Sequence, residues 1–256
     1  MKPTKHSDIN FLLEKLLAGI KSALGDKLVG LYLTGSLVWG EFNKGVSDID
    51  LVAALSSDIN DSEFNALEKM HQDFAKEHSE WDDRIDVSYM SVNDLLSIKS
   101  LNGKLIKISS GEPLNRKESN KERIVLWYLT REKSIILFGP DPKTVIEPIS
   151  REEFIDAVRI HATSWLEYVK ETKNSRPSQA YAILTMCRAI YVITNEEQVS
   201  KTKAAIWTAK KFPEWAPLIH NALNWRAELK NKEIDDQVTY PQAVEFVDFI
   251  RDQIVQ

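Results

Sequence analysis

The sequence predicts an α+β fold in two parts: a mixed sheet with flanking helices over residues 1–145, then an all-α helical bundle over residues 146–256. Three observations carry this. Strand-like apolar runs recur between helical patterns in the first half. The second half shows helical periodicity alone. Between them stands Gly139-Pro140-Asp141-Pro142, the strongest turn punctuation in the chain and the natural place for a linker.

Taken in order, residues 9–24 set Ile9, Leu12, Leu13, Leu16, Leu17, Ile20 and Leu24 on one helical face, with Ser7 or Asp8 as the cap and Gly25-Asp26 as the stop. Residues 28–34 read as a buried strand. Gly35-Ser36 reads as a turn, residues 49–55 as a second strand and residues 60–78 as a polar helix. A third strand fits residues 84–90, where Ile85, Val87 and Tyr89 alternate with Asp86 and Ser88. Gly103, Gly111 and Pro113 interrupt residues 91–118, leaving one short strand near 105–108, and a helix fits 119–131. Beyond the linker, Ser150 with Glu153 forms a capping-box pattern that opens a helix to about residue 172. Asn174-Ser175-Arg176-Pro177 breaks it. An apolar central helix fits 178–194, Ser200 caps another over 201–211, and two more fit 214–229 and 240–254.

Composition narrows the function. Hydrophobic residues make up 43% and charged residues 28%, the balance of an ordinary folded protein rather than a disordered one. A net charge of -5 disfavours a non-specific nucleic-acid binder, which needs clustered Lys and Arg, and suits a cationic partner. Cys187 stands alone, so no intramolecular disulfide forms and a reducing compartment is favoured. No apolar stretch has the length of a signal peptide or a membrane span, so a cytoplasmic location with no membrane partner is expected. His161 and His220 have no neighbours at zinc-ligand spacing.

The informative segment is Gly30-Leu-Tyr-Leu-Thr-Gly-Ser36 followed by Ser47-Asp48-Ile-Asp50-Leu. Phosphoryl transfer uses Mg²⁺, a hard cation that takes few protein carboxylates plus the substrate's phosphates. Asp48 and Asp50, two apart on a strand, point to one face and leave Ile49 and Leu51 to the core. Asp86 is patterned to bring a third carboxylate from a neighbouring strand. Gly35 lets the backbone approach a triphosphate, Ser36 adds a hydroxyl donor, and a following helix N-terminus would favour the phosphate charge.

Gly35-Ser36, eleven residues, then Asp48-Ile49-Asp50 between apolar neighbours resembles the signature of the polymerase-β-like nucleotidyltransferases. The second half is similar to the helical domain of the streptomycin/spectinomycin adenylyltransferases. That family reads Leu-Thr-x-Ala-Arg-x-x-Tyr and then Ser-Lys-x-x-Ala-x-x-Trp; here stand Leu184-Thr-Met-Cys-Arg188-Ala-Ile-Tyr191 and Ser200-Lys201-Thr-Lys-Ala204-Ala-Ile-Trp207. Ser134-Ile-Ile-Leu-Phe-Gly-Pro-Asp141 resembles the family's link between domains. The resemblance implies a polymerase-β-like domain followed by a helical bundle, with the active site in the cleft between them. It implies AMP transfer from Mg²⁺-ATP to a hydroxyl of a small, cationic aminoglycoside or aminocyclitol such as spectinomycin, the chemistry of antibiotic resistance.

By position, the resemblance has Ser36, Ser47, Asp48 and Asp50 hold the metal-triphosphate. Asp86 stands at the catalytic base, Lys201 reaches the triphosphate, and Arg188 lines the cleft. Three departures stand out. The base position holds Asp86 where the family usually has Glu, one methylene longer, which leaves Asp86 either a base of shorter reach or only a metal ligand beside Asp48 and Asp50. A Trp-rich stretch after the third strand is missing. Ser178-Gln179 replaces an acidic position associated with streptomycin recognition, which speaks against streptomycin and leaves spectinomycin, or an acceptor that is not a drug, open. Two other readings are a nucleotidyltransferase acting on a protein or RNA, and a catalytically silent nucleotide-binding module. Three acids placed to converge argue against a silent module.

Overall fold

The computed structural model describes residues 2–227 and 236–255. Two compact units form: Met1–Phe42 with Ser47–Ile149, and Ser150–Gln256 with Asn43–Val46. The first is a sheet wrapped by helices. Its elements are α1 (Ser7–Leu24), β1 (Leu28–Leu33), α2 (Gly35–Trp39), β2 (Ile49–Leu55), α3 (Asp61–Glu77), β3 (Ile85–Ser91), α4 (Val92–Leu95), β4 (Lys104–Ser109), β5 (Glu112–Glu118), α5 (Ile124–Lys133) and β6 (Ile135–Phe138). The strand order is β5-β4-β3-β2-β1-β6. Among the described strand pairs, β2 and β3 run parallel and the others antiparallel.

Both faces of this sheet are buried, and the alternation of side chains sorts them. Leu31, Leu33, Leu51, Ala53, Leu55, Val87 and Tyr89 pack with the apolar stripe of α1 and with Leu67 and Phe74 of α3. Tyr32, Val52, Ala54, Met90 and Leu105 pack on the opposite face with Trp127 of α5 and with Ile146 and Ile149. Ile49 and Leu51 fall in the first cluster, as the sequence pattern predicts. Asp50 and Asp86 therefore stand on the α5 face, at the start of β2 and β3.

Several boundaries differ from the sequence-based expectation. α1 is capped by His6 with no side-chain hydrogen bond, while Ser7 and Asp8 lie in its first turn. There Asp8 faces the positive end of the helix instead of capping it. Gly35-Ser36 opens a five-residue helix rather than a simple turn. β5 and β6 are edge strands that the reading of residues 91–141 did not anticipate. The helix expected from 119 begins at Ile124 after a short 3-10 turn.

The second unit is all helical in its described residues: α6 (Arg151–Tyr168), α7 (Arg176–Asn195), α8 (Lys201–Lys211), α9 (Ala216–Ala227) and α10 (Asp236–Val255). The Ser150–Glu153 capping box is formed, and the Ser200 hydroxyl accepts from Lys203 N at 3.2 Å. The predicted end of the helix over 214–229 lies outside the described residues. α7 is the bundle's central helix, with Ile183, Leu184, Met186 and Cys187 fully buried. No helix among the described residues is long and apolar enough to cross a membrane.

One core group gives the first unit a pH-dependent stability. His71 of α3 is buried and shares a 2.7 Å hydrogen bond with the Tyr89 hydroxyl. Burial pushes its pKa down to about 4 from an ordinary value of 6.5. As pH falls below 6.5 the unfolded chain takes up this proton first, so stability drops between about pH 6.5 and pH 4 and levels off below. The span corresponds to roughly 3 kcal/mol. Urea unfolding of His71→Gln across that window should lack this component of the acid-side loss. An unchanged slope would show that His71 does not supply it.

Candidate active site

The site grows from the ends of β1, β2 and β3. β1 leads into Thr34, whose N–H donates to the Asp50 carbonyl at 2.9 Å. This ties the start of the Gly35-Ser36 segment to β2. Gly35 has φ +67°, a backbone conformation that glycine adopts without strain. A Cβ there would lie 1.8 Å from Asp50 Oδ2, so the bare backbone at Gly35 packs directly against that carboxylate. Ser36 follows with a buried hydroxyl oxygen that has no hydrogen-bond partner within the described structure. A buried, unsatisfied hydroxyl is open to a polar ligand.

Asp50 and Asp86 are direct partners in the parallel β2–β3 ladder. Asp48 lies two residues before Asp50, ahead of the strand. Its segment is pinned by Arg84, whose guanidinium donates to the Ser47 carbonyl while the Arg84 carbonyl accepts from Ile49 N at 2.9 Å. The guanidinium also lies 4.2 Å above the buried Trp81 ring, which stacks on Phe42. Ser47 is buried, so it builds this turn as much as it lines it.

Asp86 has close cationic company. Lys107 of β4 stands opposite Ser88, one diagonal step from Asp86 on the same face, and its ammonium lies 3.0 Å from Asp86 Oδ2. Burial raises the Asp86 pKa above the ordinary carboxyl range, while Lys107, Arg123 and the Ser109 hydroxyl pull the other way. The three predicted acids are not grouped into one metal-holding cluster, and Asp86 pairs with Lys107. Among the described residues no three Asp, Glu, His or Cys side chains are grouped to hold a metal ion. The donor set still fits Mg²⁺ through the hard oxygens of Asp48 and Asp50, since this ion takes most of its shell from phosphates and water.

Lys201 and Arg188 belong to the second unit. Lys201 is the first residue of α8, and its ammonium lies 3.5 Å from the centroid of the Tyr181 ring. Arg188 is half-buried on α7. Gln179 is fully buried and donates to the Thr172 carbonyl at 3.1 Å, which makes it a structural residue.

Sequence reasoning missed Arg84, Lys107, Ser109 and Arg123. The alternation of Lys107 and Ser109 along β4 was the available signal, hidden because the partner of β4 was not fixed by sequence.

The comparisons agree with this architecture. Residues 13–126 match the family model described as "Nucleotidyltransferase domain", and residues 144–253 match "Aminoglycoside adenylyltransferase, C-terminal domain". The chain is 22% identical over 252 residues to a spectinomycin 9-adenylyltransferase of Campylobacter jejuni, covering 94% of each. It is 26% identical over 137 residues to an aminoglycoside (3'') (9) adenylyltransferase of Rhizobium radiobacter, covering 52% of this chain and 47% of that one. The fold matches the crystal structure of spectinomycin adenyltransferase AAD(9) from Enterococcus faecialis with ATP and spectinomycin. The TM-score is 0.77 at 16% identity, over 96% of this chain and 99% of that one. The first half of the chain is thus a nucleotidyltransferase domain and the second an aminoglycoside adenylyltransferase C-terminal domain, which makes the chain a nucleotidyltransferase enzyme.

Proposed function

We propose that this enzyme transfers AMP from Mg²⁺-ATP to a hydroxyl of a small cationic aminoglycoside or aminocyclitol, with spectinomycin the first acceptor to test. The observation that carries the reading is the register of Asp50 beside Asp86, with the bare Gly35 backbone against Asp50 and the buried, unsatisfied Ser36 hydroxyl next along the chain. The names of the relatives support the acceptor class, and the missing acidic residue at Ser178-Gln179 argues against streptomycin.

In this reading Asp48 and Asp50 hold Mg²⁺, which would neutralise phosphate oxygens of the bound nucleotide. The Gly35-Ser36 backbone and the Ser36 hydroxyl bind the phosphates, and Ser47 with Arg84 keeps Asp48 in place. Asp86 takes the proton of the attacking hydroxyl at its carboxylate oxygen. Its burial makes it a stronger base than an exposed aspartate, while Lys107 keeps it charged and oriented. The acceptor oxygen bonds to the α-phosphorus as the bond to the bridging oxygen breaks, and pyrophosphate leaves with that electron pair. Lys201 and Arg188 supply cations for the triphosphate, a role supported by the likeness of their segment to the family's.

The test is pyrophosphate release from Mg²⁺-ATP, screened against spectinomycin, streptomycin and other aminoglycosides, with Asp86→Ala as control. Release with spectinomycin that Asp86→Ala abolishes is the expected result. Binding of ATP without release across the whole panel would discard the drug-modifying reading and turn the search to protein or RNA acceptors.

A further inference from the structure

Lys201 occupies an unusual place for a cation that must be ready for a ligand. It is the first residue of α8, where the partial positive charge of the helix end disfavours an ammonium. It also carries a long, flexible stem that loses rotamer freedom when fixed. Tyr181 of α7 offsets both. The Lys201 ammonium lies 3.5 Å from the centroid of its ring, well within the range of a cation–π contact.

That ring is itself braced. Trp165 of α6, almost fully buried, packs against Tyr181 with centroids 5.6 Å apart. The Trp165 indole N–H donates to His161 Nε2 at 3.2 Å, and Tyr168 meets the Trp165 ring edge-on at 5.8 Å. Lys203, two residues along, has a looser contact, 5.9 Å from the Tyr191 ring. The close lysine–aromatic pair at this end of α8 is thus the one whose ring is held by a buried tryptophan.

We propose that Tyr181 is a positioning residue for Lys201: its braced ring holds the ammonium in a narrow range of positions before nucleotide arrives, so that ATP binds without first ordering the lysine. This rests on the reading above that Lys201 serves the triphosphate. The contact needs an aromatic face and no hydroxyl, so Phe should replace Tyr and an aliphatic residue should not.

The experiment is calorimetric titration of the full chain with Mg²⁺-ATP and, separately, with AMP. Tyr181→Leu should weaken ATP binding about three- to tenfold, the range of a partly exposed cation–π contact. AMP binding should stay within twofold, and Tyr181→Phe should match wild type for both. Tyr181 is half exposed, and Tyr181→Gln provides a second non-aromatic variant with the same expectation. Lys201→Ala separates the two layers of the argument. If Lys201→Ala weakens ATP binding while Tyr181→Leu and Tyr181→Gln do not, the positioning role is wrong and the triphosphate role stands. If Lys201→Ala leaves ATP binding unchanged, the triphosphate reading fails and takes this inference with it. Equal weakening of ATP and AMP by Tyr181→Leu, or loss in Tyr181→Phe, would also overturn it.

Discussion

Asp50→Asn should lower turnover about a thousandfold while the chain stays folded. The substitution keeps the shape of the side chain and removes the charge that draws a hard cation. Loss of metal-based charge stabilisation in the transition state corresponds to several kcal/mol, and about 4 kcal/mol is a thousandfold in rate. Asp48→Asn should behave alike, because its carbonyl neighbour Ser47 and the Arg84 clamp hold the backbone independently of the carboxylate. A readout without turnover is the rise in melting temperature on adding Mg²⁺-ATP, which should shrink in both variants. Residual activity above a few per cent in either would end the assignment of that aspartate to the metal.

Gly35→Ala should be nearly as damaging, by a different route. Alanine at φ +67° carries a left-handed strain of about 1–2 kcal/mol. Its Cβ would also fall 1.8 Å from Asp50 Oδ2 and 3.0 Å from Asp50 Cβ, so the carboxylate has to move. A displacement of about 1 Å in a reacting group can cost about a hundredfold in rate. Gly25→Ala is the control: it has φ +55° with nothing within 4 Å of the added Cβ, and it lies at the end of α1. Both variants should lose melting temperature, and Gly35→Ala alone should lose activity. Equal activity in the two would show that close packing at Gly35 is not what sets Asp50.

Where burial imposes a pattern, the sequence announced the structure. The run over 49–55 is apolar on both faces because the sheet is covered on both, and β2 has the predicted bounds. The Ser150 and Ser200 caps were legible because a cap is a local hydrogen bond between near neighbours. β5 was not, since Glu-Pro-Leu-Asn-Arg-Lys-Glu is the composition of an exposed edge and only Leu114 is buried. β6 was hidden for another reason: its four residues were read as a link, and pairing with β1 is decided by tertiary register. The same gap explains the site. Gly35, Ser36, Asp48 and Asp50 lie within one short stretch and share one local logic. Lys107 acquires its meaning only once β4 lies against β3.

The parallel pairing of β2 and β3 has a consequence for how this enzyme can vary. Asp50 and Asp86 are held apart by the spacing of adjacent strands, about 4.8 Å, and by their shared register. The chain between them, through α3, contributes nothing to that distance. Residues can therefore be added or lost in the turns before and after α3 without retuning the chemistry, provided β3 returns to the same register. A shift of β3 by one residue would do what no loop insertion does: it would turn the Asp86 side chain to the opposite face of the sheet, into the α1–α3 core. Length between the two acids is thus free to drift, while parity along β3 is not.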